Sequence, residues 1–509
     1  MFIDTMKKIA VLLMVITVLS KIFGFLRDIT LSYFYGATST SDAYIISITI
    51  TTVLFSLIIT GISTAYIPMF KRIENDVGHQ SATEFTNNLI NIVLIISLVV
   101  IVIGFLFSEV IVKVFALGFD GETLKTAVLF TRIALVGIIF TSLTQIFMSY
   151  LQLNGKFTIP AMIGFPFNLI IILSIFISAQ TNVIVLAFGS VLAALTQMLF
   201  LLPSLYKTHY RYAPIVQFTD KNIKKMAMIV FPIMIGISID QINLIVDKTI
   251  ASTLVEGGIS ALTYASRLND FVQGIFVLSF VTVMFPLISK MVAQKNTEDF
   301  KNSISEVISS VILIVVPASI GIMILAEPII RLLFGYGHFD DHAIDMTFHA
   351  LFYYSIGMIG YGFREILNRT FYSLQDTKTP MYNASIAVVL NIILNFILSS
   401  YMGISGLALA TSISALISST LLVINLRKKI GAFGLKGNFI TFMKVSFAST
   451  VMGVVVYALN KYVFAEWNAL LRMMVVVFAG SIIYFILITL LKVKETKLFL
   501  NFIRKKVHL

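Results

Sequence analysis

Residues 8–48 read KIAVLLMVITVLSKIFGFLRDITLSYFYGATSTSDAYIISI. The part from Lys8 to Gly36 is long and apolar enough to cross a bilayer core, which takes about 20 residues for about 30 Å. Lys21 nevertheless sits inside it, Arg27 and Asp28 follow, and Asp42 opens the next apolar run. Ionisable groups at membrane depth are costly and face a partner or a water-filled cavity. The rest of the chain can be read as supplying a use for these charges.

The composition supports the membrane reading. Of 509 residues, 58% are hydrophobic and 12% charged, with mean hydropathy +0.96; a soluble domain carries about 25% charged residues. Apolar runs recur along nearly the whole length, and ten-residue segments of alternating polarity are missing, which argues against a membrane β-barrel. The sequence contains no cysteine, so thiolate chemistry, disulfides and cysteine-ligated zinc are excluded. No small-residue cleavage site follows a short apolar core, so the first run is expected to be retained. No phosphate-cradling glycine loop of Walker type and no nucleophile–base constellation occurs, so an enzyme is not expected.

Fourteen spans are predicted, centred in 8–35, 42–69, 86–115, 126–152, 158–178, 181–206, 226–253, 260–290, 305–334, 346–373, 380–400, 403–426, 438–460 and 470–491. The connections sort by charge. One set carries Lys7, Lys8, Lys71, Arg72, Lys156, Lys207, Arg211, Lys221, Lys290, Lys295, Lys378, Arg427, Lys428 and Lys429, and the tail adds Lys497, Arg504, Lys505 and Lys506. The alternate set has few cations and includes the acidic stretches 120–122 and 339–341. The positive-inside rule makes the first set cytoplasmic, together with both termini. The formal net charge of +12 is then mainly a topology signal, not a nucleic-acid surface.

Loop punctuation reveals an internal repeat. Pro68 and Pro286 end similar motifs 218 residues apart, and Glu109 and Glu327 stand in similar motifs at the same offset. Tyr150–Lys156 with Pro160 echoes Tyr372–Lys378 with Pro380. The predicted fold class is an all-α polytopic membrane protein, with two six-helix lobes related by a pseudo-two-fold along the membrane normal. The predicted division is 1–218, 219–432 and a C-terminal 433–509 with two additional helices and a basic tail. Such paired lobes suit a transporter that rocks about a central site.

Two facing lobes would bring Lys21, Arg27, Asp28 and Asp42 opposite Asp240, Asp247, Lys248, Arg267 and Asp270. Lys21 and Arg27 lie about 240° apart on an ideal helix, so aiming both inward requires a bend, for which Gly24 and Gly36 are placed. Cations in a cavity suit a diphosphate, with Arg as bidentate clamp and Lys as point charge. The bland alternative is ion pairing between neighbours, as Arg27–Asp28 and Arg267–Asp270 invite. Asp247, Asn391, Asn395 and Thr411 offer oxygens for a small hard cation such as Na⁺, or ordinary interhelical hydrogen bonds. Arg364 and Glu365, near the end of span 10, form a gate or a helix-end charge cluster. His338, His342 and His349 lack a third ligand, and no metal site is expected there.

The motifs SKIFGFLRD (20–28), YGA (35–37) and SDAY (41–44) resemble the opening of the MurJ-type lipid II flippases of the MOP superfamily. YASRL (264–268), FYSLQDTKTP (371–380) and GLALATS (406–412) are similar to that family's later spans. The resemblance implies movement of lipid II from the cytoplasmic to the outer leaflet of a bacterial plasma membrane by alternating access. It places diphosphate-binding cations on Lys21, Arg27 and Arg267, cavity acids or gating charges on Asp28, Asp42, Asp270, Arg364 and Glu365, and a Na⁺ site on Asp247, Asn391, Asn395 and Thr411. Its implied partners are lipid II, membrane lipids and cell-wall synthesis machinery, with no nucleic acid and a monomeric chain; Na⁺ as coupling ion is its one cofactor. The sequence departs from the family in span 2, where Phe55, Ser56 and Thr60 stand at positions of family charges. That departure keeps a sister function in view, the flipping of another polyprenyl-diphosphate-linked saccharide, and more remotely a cation-coupled drug antiporter.

Overall fold

In the computed structural model of the chain, all regular structure among the described residues is helical; these are residues 2–208, 210–294, 296–494 and 496. Side chains at 2–11, 57, 58, 60, 235, 240, 275, 276, 278–287, 289, 290 and 293 fall outside the description, and with them those of Thr60, Asp240 and Pro286. Lys295, Lys497, Arg504, Lys505 and Lys506 lie outside it altogether. Eleven helical stretches among the described residues are long and apolar enough to cross a membrane.

The chain divides into two compact units, Met1–Ser260 with Gly337–Phe339 and Ala261–Tyr336 with Asp340–Leu509. The first contains α1 (Phe2–Tyr35), α2 (Ser39–Val77), α3 (His79–Leu106), α4 (Ser108–Phe115), α5 (Gly121–Leu135), α6 (Gly137–Leu153), α7 (Thr158–Ala161), α8 (Gly164–Gln180), α9 (Ile184–Tyr206) and α10 (Lys221–Leu254). Helix α11 (Gly258–Ala293) starts in the first unit and continues in the second. The second holds α12 (Thr297–Leu333), α13 (Asp341–Ile356), α14 (Met358–Ser373), α15 (Lys378–Met402), α16 (Ile404–Ile430), α17 (Leu435–Ala458) and α18 (Ala469–Leu490). Helices α1, α11 and the α13–α14 pair occupy the three predicted spans that are not among the eleven.

Helix α2 is the spine of the first unit and packs against α3, α5, α6 and α10. Ile59, Ile62, Tyr66 and Phe70 of α2 close on Phe85 and Leu89 of α3, Tyr150 of α6 and Val230 of α10. Helix α10, which the repeat groups with the second copy, therefore packs in the first unit. In the second unit Ile304, Ile308 and Ile312 of α12 meet Leu367 and Phe371 of α14, Leu422 of α16 and Val445 of α17. Lipid tails are as apolar as leucine, so such helices are held by close packing and interhelical hydrogen bonds. Helix α16 accordingly buries a face of small residues that includes Ala408, Ser412, Ala415 and Ser419.

The segment between α9 and α10 has no helix of its own, and α3 satisfies its backbone. Asn88 Oδ1 accepts from Gln217 N at 2.7 Å while its Nδ2 donates to Gln217 O at 3.0 Å. Asn91 Nδ2 donates to Ile215 O at 2.9 Å, its Oδ1 accepts from the Tyr212 hydroxyl at 2.6 Å, and Asn87 Nδ2 donates to Arg211 O at 3.1 Å. Three asparagines on one helix thus stand in for the strand that would otherwise pair with this segment, since buried backbone groups need partners. Replacing Asn91 with Ala removes several of these bonds at a cost of about 1–3 kcal/mol each where the partner stays buried. Trypsin should then nick the purified variant between Lys207 and Lys221 faster than the parent; equal rates would show that Asn91 does not hold the segment.

Candidate functional site

The charges of the opening stretch are all placed by the first unit. Helix α1 runs unbroken through Gly24 to Tyr35, so no break in the helix separates Lys21 from Arg27. Where no water can replace a lost backbone bond, a glycine stays helical. Gly24 instead faces Asn168 on α8, with which α1 packs. Arg27 forms a two-pronged contact with Asp28 Oδ1, from Nη2 at 2.7 Å and Nε at 2.9 Å, and Nη1 donates to Asn168 Oδ1 at 3.3 Å. The neighbour-pairing alternative therefore describes this conformation. Asn168, a lone amide in the apolar run of α8, is the partner that sequence reading missed; its isolation was the available signal.

Lys21 differs. It is half-buried, six residues before Arg27 on α1, and makes no hydrogen bond or ion pair with any described residue. A cation in this position keeps its full demand for an anion.

Asp42 is buried, and its carboxylate's hydrogen bonds to described residues are to the start of α11. Its Oδ2 accepts from Gly257 N at 2.9 Å; its Oδ1 accepts from Ser260 N at 2.7 Å and from the Ser260 hydroxyl at 2.5 Å. That hydroxyl also lies 2.9 Å from Ser41 Oγ. The carboxylate thereby satisfies orphan N–H groups at a helix N-terminus, where the helix dipole favours negative charge. The favour is returned, since Glu256 Oε1 accepts from Ser39 N at the start of α2, at 2.9 Å. Asp42 and Ser260 stand 218 residues apart, the offset of the sequence repeat, so equivalent positions of the two copies touch. Two glycines permit the approach. Gly257 has φ +78°, and a Cβ there would lie 2.0 Å from Ala37 O; Gly36 has φ +59°, and a Cβ would lie 2.3 Å from His338 O. His338 N donates to Tyr33 O at 2.9 Å, so the 337–339 segment closes over the end of α1. Sequence reading found Asp42 but not its partners, because backbone donors leave no mark in a sequence.

The other predicted residues fall as follows. Asp247 accepts a long 3.5 Å hydrogen bond from Asn243, and buried Lys248 donates to Ile259 O at 3.4 Å, both in the first unit. In the second unit Arg267 and Asp270 are exposed on α11. The Arg364 guanidinium lies over the Tyr361 ring at 5.1 Å, and Glu365 pairs with Arg369 at 3.2 Å, one turn on. Asn395 Nδ2 donates to Asn391 Oδ1 at 2.9 Å, and Asn391 Nδ2 to Thr411 Oγ1 at 3.3 Å. These three bring no charge of their own, and in this conformation the oxygens of Asn391 and Thr411 accept hydrogen bonds. Among the described residues no group of three or more His, Cys, Asp or Glu could hold a metal. In α2, Phe55 packs against the apolar cluster and Ser56 Oγ donates to Val53 O at 2.9 Å, so neither places a charge beside Lys21.

Comparison with known proteins places this arrangement in a family. The family model described as lipid II flippase MurJ matches residues 31–478. A probable lipid II flippase MurJ of Buchnera aphidicola subsp. Acyrthosiphon pisum is 30% identical over 458 residues, 89% of each chain. One from Thermotoga maritima is 28% identical, covering 94% of this chain and 95% of its own. A solved lipid II flippase MurJ in an inward closed conformation superposes with TM-score 0.81 at 27% identity, over 94% of this chain and 99% of that one. A multidrug-resistance MATE transporter of the MOP superfamily, inward-facing, gives TM-score 0.69 at 15% identity over 81% of this chain and 95% of its own, a likeness of fold alone. The chain belongs to the MurJ family of lipid II flippases.

Proposed function

We infer that this chain is a flippase that carries lipid II, the undecaprenyl-diphosphate-linked peptidoglycan precursor, from the cytoplasmic to the outer leaflet of a bacterial plasma membrane. The loop charges orient it with both termini in the cytoplasm. The observation that carries the reading at the level of residues is Lys21, a half-buried cation without a partner among the described residues. A diphosphate supplies what it lacks. Arg27 can follow by exchanging the Asp28 carboxylate for a phosphate oxygen, since a guanidinium fork fits either anion. Asp42 has a different part: it holds the starts of α2 and α11 together and touches no substrate.

One observation favours a sister reading. Phe55 occupies a position where the family resemblance implies a charge, which fits transport of another polyprenyl-diphosphate-linked saccharide. Complementation separates the two: expression in a strain depleted of its own lipid II flippase should restore growth and the appearance of lipid II in the outer leaflet. Failure to do so, with the protein present in the membrane, assigns the other glycan.

In the complemented strain, Lys21→Ala should lower lipid II translocation about tenfold, the loss of roughly 1.5 kcal/mol of charge-assisted contact, while Lys21→Arg should retain most of it. Normal transport by the Lys21→Ala/Arg27→Ala double variant would remove both from the substrate site. Asp42→Asn should act otherwise. The amide presents a donor to one of the two N–H groups that the carboxylate accepts, at about 1–3 kcal/mol. A lower Tm in detergent should accompany it, with faster maleimide labelling of a Ser260→Cys probe, which is clean because the chain has no cysteine of its own. Unchanged labelling and Tm would show that Asp42 does not hold this contact.

A further inference from the structure

The loop motif 371–380, singled out in the sequence and unused by the transport reading, borders a cavity of about 340 Å³ in the second unit. Phe371 of α14, Thr379, Tyr382 and Asn383 of α15, and Asn425 and Lys428 of α16 line it. Lys429 lines it too, but its ammonium meets Asp376 Oδ2 at 2.5 Å. Asp376 in turn accepts from Thr379 N at 3.0 Å and from the Thr379 hydroxyl at 2.9 Å. The Lys429 contact, reinforced by Thr379 N–H, holds the Asp376 carboxyl down at about 2, so this pair stays charged and balanced at any physiological pH. Lys428 is exposed and pairs with no described residue. Two cations against one anion leave the cavity with one positive charge.

Its floor is an unfinished hydrogen-bond pair. Asn425 Nδ2 donates to Asn383 Oδ1 at 3.1 Å, while the buried Asn383 Nδ2 has no acceptor among the described residues. Asn383 is only 3% exposed, and a buried amide donor without a partner is a costly feature that implies a missing acceptor. Away from the cavity, α15 presents Tyr382, Ile386, Val389, Ile393 and Phe396 to the outside. Their alternating spacing of four and three forms one continuous apolar stripe that begins at the cavity mouth.

We propose that this cavity binds the phosphodiester headgroup of an anionic phospholipid, with its acyl chains lying along the exposed face of α15. The charge matches: one surplus cation suits the single negative charge of a phosphodiester better than a diphosphate. The volume lies within the range of about 300–1,000 Å³ typical of small-ligand sites. A free phosphate shares the headgroup chemistry but has no use for the apolar stripe. The site is separate from Lys21 and Arg27, so it is independent of which glycan is carried.

The test uses the chain's single tryptophan. In a Trp467→Phe/Tyr382→Trp background, fluorescence quenching by brominated phosphatidylglycerol and brominated phosphatidylcholine is compared in mixed nanodiscs. Phosphatidylglycerol should be preferred, and Lys428→Gln should lower that preference about fivefold, the factor expected per basic residue at an anionic lipid surface. Asn383→Leu should lower it further, whereas Arg427→Gln, one residue away but outside the cavity lining, should leave it unchanged. Equal quenching by the two lipids overturns the proposal. So does an equal loss in the Lys428 and Arg427 variants, which indicates diffuse surface charge. Competition by millimolar inorganic phosphate assigns the site to a free anion and overturns the lipid. Circular dichroism and size-exclusion profiles identical to the parent's establish that each variant is folded.

Discussion

The contact on which the start of the molecule depends is a carboxylate that caps a helix other than its own. Asp42 belongs to α2, yet it accepts the N–H groups of Gly257 and Ser260 at the start of α11. A buried carboxylate needs several donors to be tolerated, and a helix N-terminus has several donors with no partner inside the helix. Each shortage removes the other. Because Glu256 performs the reverse service for Ser39, neither helix start is complete without the opposite chain segment. This mutual dependence explains why glycines stand at 36 and 257. Any side chain at 257 would run into the carbonyl of Ala37, and at 36 into that of His338. The arrangement is also one that water could take over, since carboxylates and exposed helix starts are readily hydrated. It is firm while dry and separable when wet.

Set beside this contact, the charges of α1 divide by function. Asp28 and Asp42 are satisfied by the protein, Arg27 by Asp28 on its own helix and by Asn168 of α8, and Lys21 is not satisfied among the described residues. The Arg27–Asp28 pair is mostly buried, with side chains 22% and 11% exposed. In such a place the loss of one partner is expensive. An incoming anion can release Arg27 only if Asp28 finds water or another donor, which makes this pair a threshold against weak ligands. Lys21 imposes no such threshold, so under the proposed function the diphosphate engages Lys21 at no cost in protein contacts and competes with Asp28 for Arg27.

The helices were legible because bilayer length and apolar runs leave little choice, and the repeat was legible because its loops carry proline and charge at a fixed offset. What could not be read were contacts made by groups without a sequence signature. Gly257 N and Ser260 N are backbone donors, and only the structure brings them to Asp42. Asn168 was visible as a lone amide, but nothing in its spacing connects it with Arg27. The association of α10 with the first unit was hidden for another reason. A repeat shows which segments are equivalent, whereas packing partners depend on shapes such as that of Val230 against the α2 cluster.

The departure in span 2 acquires a physical meaning from these observations. Phe55 is held by the apolar cluster of α2, α3, α6 and α10, and Ser56 spends its hydroxyl on the backbone of its own helix. A charge in place of Phe55 would have to be accommodated against that apolar cluster. In the proposed function the cationic work in this unit falls on Lys21 and Arg27, one point charge and one planar fork. A fork alone would hold a carboxylate about as well as a phosphate, which is what Asp28 demonstrates. On the function proposed above, the second charge favours a ligand with two adjacent phosphates over any single carboxylate, and Lys21, the residue that looked most out of place in an apolar helix, is the one proposed to confer selectivity.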